Sequence, residues 1–81
     1  MRIGEAIIFV DSVGREYDAL VTAVHEGMAG KLADSPGVNV VYVSGDESRT
    51  DSYGRQVERA TSVVHESAQP ASGMFWRFNF K

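Results

Sequence analysis

The apolar residues of this chain fall into five short runs rich in valine, isoleucine, threonine or aromatics, separated by Gly, Asp, Ser and Pro. Branched and aromatic side chains pack well on a pleated surface, and the separators favour turns, so the pattern predicts strands. The runs are AIIFV (Ala6 to Val10), EYDALVTAVHE (Glu16 to Glu26), VNVVYVS (Val38 to Ser44), VERATSVVHE (Val57 to Glu66) and MFWRFNF (Met74 to Phe80). DSVGR joins the first two, with Asp11 placed to open a turn and Gly14 free to take a positive φ. Met28 and Leu32 are four apart, as on a helix over Glu26 to Asp34, but Gly27 and Gly30 would each cost it about 1 kcal/mol. That segment is expected to be a loop with at most one helical turn. Five short strands with a tight first turn indicate an all-β fold, a small closed or partly open barrel.

At 81 residues the chain makes a single domain, residues 1–81. A domain of this size buries only about 60–65% of its unfolded surface, and its stability is marginal without a disulfide, a structural metal or a partner. There is no cysteine, which removes disulfides and thiolate zinc sites. Self-association or docking on a larger assembly is therefore favoured. The apolar run in MRIGEAIIFVD is too short for a signal-peptide core with a cleavage site and far too short to span a bilayer, so no membrane association is expected.

Eight basic and eleven acidic residues give a net charge of −3. Affinity for nucleic acid comes mainly from phosphate neutralisation, so this balance works against a nucleic-acid binder. Trp76, Phe78 and Arg77 have the chemistry of a base-stacking platform, but in a strand Arg77 lies on the face opposite the two aromatics.

Few constellations suggest chemistry. VHE occurs twice, as His25–Glu26 and His65–Glu66, but neighbours on a strand point to opposite faces and cannot aim at one ion. No metal or cofactor is expected. The chain has no GxSxG elbow, no phosphate-binding glycine loop and no HExxH, and it is not expected to be an enzyme. From Ser44 to Gln56 the only sizeable apolar group is Tyr53, and the charges of Asp46, Glu47 and Asp51 nearly cancel against Arg49 and Arg55. A solvated extension is one reading of this loop. The other is a loop that orders against a partner, with Tyr53, Arg49 and Arg55 as anchors of the types enriched at hot spots.

The last run places Met74, Trp76, Phe78 and Phe80 on one strand face and Phe75, Arg77, Asn79 and Lys81 on the other. Burying the first face is worth about 1.5–3 kcal/mol per side chain, a large part of a small domain's stability. The default is that this strand completes the core together with Ile7, Phe9, Val21, Val41 and Val43. Alternatively its end protrudes, and Phe78 or Phe80 packs on a neighbouring subunit.

The stretch IGEAIIFVDSVGREYDALVTAVHE resembles the entry hairpin of an SH3-like barrel of the KOW or Tudor type, through Gly4, Ile7, Phe9, Gly14, Ala19 and Val21. It covers about a third of the chain, implies a five-stranded SH3-like barrel and says little of function. The segment YVSGDESRTDSYGRQVERATSVVHES, with GMFWR further on, is similar to small uncharacterised proteins of tailed bacteriophages. This resemblance implies a viral origin and carries over no catalytic residue. Taken with the marginal size without staples, the aromatic terminus and the long polar loop, it leads to the expectation of a structural protein of the virion, present in the host cytoplasm before assembly. The concrete expectation is a capsid cement or decoration protein that binds itself and a major capsid protein. The interface candidates are Tyr53, Arg49, Arg55, Trp76, Phe78 and Phe80. The rival expectation is a small intracellular module for nucleic acid or a host protein.

Overall fold

The computed structural model describes residues 1–25, 36–68 and 70–79. The fold is all-β. Its strands are β1 (Ala6–Val10), β2 (Glu16–His25), β3 (Gly37–Val43), β4 (Thr50–Asp51), β5 (Gly54–Arg55), β6 (Val57–Val63) and β7 (Phe75–Phe78), with a 3-10 turn over Glu66–Ala68. Five strands form one antiparallel sheet in the order β6-β3-β2-β1-β7, and β4 and β5 form a separate hairpin. Each of the five runs read from the sequence contributes one strand of the large sheet. The segment weighed as a loop or helical turn, Glu26 to Asp34, lies outside the described residues.

The β1–β2 turn forms as its residue types dictate. The Asp11 carboxylate accepts the backbone N–H groups of Val13 at 3.0 Å and Arg15 at 2.9 Å, and Gly14 sits at φ 88°. A side chain that imitates a backbone turn and a glycine in the left-handed region together fix the hairpin register. In that register Phe9 opposes Tyr17 and Ile7 opposes Ala19.

The core is made of Ile7, Phe9, Ala19, Val21, Val38, Val40, Ala60, Val63 and Trp76. On β3 the buried set is Val38 and Val40, with Tyr42 packed against them, whereas Val41 is half-buried and Val43 exposed. The expected inward placement of Val41 and Val43 is thus corrected. Successive residues alternate between faces, and Asn39 shares its face with Val41 and Val43, so the wholly apolar set Val38–Val40 turns inward.

Two irregularities bend the sheet around this core. Between Val21 and Ala23 the β2 strand carries an extra residue opposite β3, and between Ala60 and Val63 the β6 strand does the same. Bulges of this kind increase local twist and curl a sheet toward closure. Closure stays incomplete. The edge strands β6 and β7 have no continuous ladder, and their line meets at a single parallel bridge between His65 and Trp76, where the Trp76 N–H donates to the Val64 carbonyl at 3.0 Å.

Candidate interaction surface

The terminal strand is divided between core and rim. Trp76 is 0% exposed, and its indole N–H donates to the Pro36 carbonyl at 2.9 Å, so the polar atom of a buried aromatic is satisfied. His65 and Phe78 flank it, with ring centroids 4.7 and 4.9 Å away. Trp76 therefore belongs to the interior and presents no surface to a partner. Phe78 is half-buried and packs on the core, and Phe80 lies outside the described residues.

The polar loop from Ser44 to Gln56 is built as an arm. Its base is clamped by the Ser44 N–H donating to the Gln56 carbonyl at 2.9 Å, and by the Arg55 guanidinium donating to the Ser44 carbonyl at 2.9 Å. Further out, the Gln56 N–H donates to the Arg49 carbonyl at 2.8 Å, and the Asp46 carboxylate accepts the N–H and hydroxyl of Ser48 at 2.9 and 2.6 Å. Those two bonds from Ser48 are the main reason the Asp46 carboxyl is held below its ordinary range. Arg49 pairs with Glu58 at 2.6 Å. Arg49 and Arg55 thus brace the arm itself, and Tyr53, 98% exposed, stands in the turn at its tip.

The outer face of the sheet is the feature that sequence reasoning missed. An antiparallel sheet with one solvated face normally carries polar residues there. Here Leu20 lies directly opposite Val41, and Val43 directly opposite Val57. Leu20, Val43 and Val57 are 49%, 56% and 60% exposed. Together with Asp18 and Tyr42 they line an open groove of about 200 Å³. The signal was present in the sequence: β3 has two apolar faces, and only one can turn inward.

Three aromatic rings pack together against the core, Phe9 with Tyr42 at 5.0 Å and Tyr42 with Tyr17 at 4.6 Å. The Tyr17 hydroxyl donates to Asp11 at 3.1 Å. Desolvation, followed by that bond to Asp11, raises the Tyr17 phenol above its ordinary value. Desolvation and the nearby Glu58 charge raise that of Tyr42. A second concavity, of about 410 Å³, is lined by Glu66, Pro70, Gly73, Phe75 and Arg77, and the Arg77 guanidinium is taken up by Glu16.

The two histidines are apart in role. His25 Nε2 lies 2.9 Å from the Asn39 side-chain oxygen, and His65 Nδ1 accepts the Ser67 N–H at 3.2 Å within the ring stack on Trp76. Among the described residues no three metal-ligating side chains converge. No helix among them is long and apolar enough to cross a membrane. Comparison with protein-family models, curated proteins and solved structures returned no match.

Proposed function

We propose that this chain is a non-enzymatic structural protein of a phage particle, a capsid cement or decoration protein that self-associates and clamps coat subunits. The observation that carries the clamping role is Tyr53, presented on a braced arm that springs from β3 and β6 beside the exposed Val43 and Val57. A large aromatic held in water on an ordered hairpin has little folding role. It is the residue type that anchors interfaces. The placement in a virion is carried by the resemblance of residues 42–67 to tailed-phage proteins. The order β6-β3-β2-β1-β7, a meander whose last strand returns beside the first, supports the SH3-like reading of the fold. Ion pairing of Arg15, Arg49 and Arg77 with Asp11, Glu58 and Glu16 works against a phosphate-tracking face and hence against a nucleic-acid module.

Native mass spectrometry of the purified chain tests the first part. A discrete homo-oligomer without nucleic acid is expected, and co-purified nucleic acid would overturn the reading. Quantitative mass spectrometry of the encoding phage's particles tests the second. Copy numbers comparable to the coat protein are expected, and absence from the particle would sink the virion role. Tyr53→Ala should leave the fold intact and abolish binding to the particle.

A further inference from the structure

We infer that the outer groove of β2, β3 and β6 is a symmetric contact between two copies of this chain, closed by Asp18 of each copy meeting Arg59 of the other. The inference rests on the functional reading above only for self-association. It identifies the face and the pairing.

The argument begins with what the groove lacks. Its floor is Leu20, Val41, Val43 and Val57, a continuous apolar strip across three strands. Single exposed apolar residues are ordinary, whereas a contiguous strip marks a surface that is covered. Two charges flank it. Asp18 lines the groove on β2, and Arg59 stands directly opposite Val41 on β6. Both are exposed, and neither makes an ion pair or side-chain hydrogen bond among the described residues. The neighbouring arginines 15, 49 and 77 are all paired within the chain.

The strip therefore carries one unpartnered negative and one unpartnered positive group, on different strands. A partner of uniform charge would satisfy one and repel the other. A second copy satisfies both. A two-fold axis running over Val41 and Val43, between Asp18 and Arg59, lays one strip on the other. It brings each carboxylate to the opposite guanidinium, so every pairing occurs twice. Opposite charges placed at the rim of an apolar contact set its register.

Charge reversal with rescue, read by analytical ultracentrifugation, is the test. The wild-type chain is expected to dimerise. Asp18→Arg and Arg59→Asp are each expected to weaken the dimer about 10-fold or more, since each converts two attractions into two repulsions. The double variant D18R/R59D restores the attractions in mirror image and should return the dissociation constant to within about threefold of wild type. Circular dichroism on the same samples separates a lost contact from a lost fold. If the wild type oligomerises and neither reversal weakens it, the groove is not the contact, while self-association stands. A wild-type chain monomeric at several hundred micromolar would overturn both, and would assign the groove to a partner of another kind.

Discussion

The side-chain oxygen of Asn39 accepts the backbone N–H of Ser62 at 2.9 Å, where β6 sets two residues against one on β3. The bulge takes that N–H out of the ladder, and it puts Ser62 at φ 54°, in the left-handed region. His25 Nε2 lies 2.9 Å from the same oxygen, so one side chain on β3 ties it to both β2 and β6. Asn39 therefore holds the β6 bulge and links it to the end of β2.

Removing that oxygen should cost stability. Asn39→Ala is expected to lose about 1–2 kcal/mol in urea unfolding, because it withdraws the acceptor of two donors. Ser62→Gly should be neutral or stabilising by up to about 1 kcal/mol, because glycine takes the left-handed conformation without a Cβ penalty. Ser62→Val should destabilise, since branching at Cβ makes that conformation costlier still. A stabilising valine would show that the bulge is not held as described.

Trp76 is the single tryptophan, and it has no exposed surface. Its emission should be blue-shifted and poorly quenched by acrylamide in the native state, and both properties should be lost on unfolding. Trp76→Phe deprives the Pro36 carbonyl of its donor and leaves a partial cavity, and it is expected to cost about 2–3 kcal/mol. Trp76→Ala is expected to cost about 3–5 kcal/mol, which would leave so small a domain largely unfolded by circular dichroism.

Gly45 is constrained by its neighbour. A Cβ there would lie 2.8 Å from the Tyr17 hydroxyl, which is itself held by Asp11. Gly45→Ala should therefore destabilise by about 1 kcal/mol, the scale of a modest overpacking. In a Tyr17→Phe background the cost should shrink, because the colliding oxygen is gone. A double-mutant cycle with no coupling between the two sites would refute this contact.

Stability should fall at both ends of the pH range. Desolvation, the largest single influence, pulls the Asp11 carboxyl upward, but the N–H groups of Arg15 and Val13, the Tyr17 hydroxyl and the Arg15 charge together outweigh it and hold it below the ordinary value. Asp46 is held low as well. A depressed carboxyl stabilises the fold above its unfolded pKa of about 4, and that contribution is lost as pH falls through the folded value. Tyr17 and Tyr42 are raised, so the folded state keeps their protons longer. Their contribution is present below about pH 10 and is lost as pH climbs through the folded values. Thermal melts of the Asp11→Asn variant should show a flatter acid limb, and a somewhat flatter alkaline limb as well, because the Asp11 charge helps to raise Tyr17 and Tyr42.

Much of the fold could be read from residue types. AIIFV is strand β1 to the residue, and DSVGR turns where Asp11 and Gly14 require. The buried side of β7 followed from the alternation through Trp76 and Phe78. The reading failed where both faces of a strand are apolar: VNVVYV admits two phases, and only the place of Asn39 in the alternation separates them. It also failed where order comes from pairing across the chain. SGDESRTDSYGRQ carries no hydrophobic pattern, yet Ser44, Asp46, Arg49 and Arg55 bond it into an arm. The outer groove was hidden for a related reason, since an inward Val41 and Val43 leave no apolar strip outside.

The strand that supplies Trp76 is also the last of the sheet to be synthesised. Strands β1, β2, β3 and β6 can pair in succession as they emerge, each with a neighbour close in sequence. The β1–β7 join, with Ile7 beside Phe78, spans nearly the whole chain. Contacts that close so long a loop form late. Until then the meander has no indole at its centre and its inner face is wet. Completion of the core therefore waits for residues 75–78. A ribosome stalled before them would carry a sticky four-stranded sheet, a natural client for a chaperone.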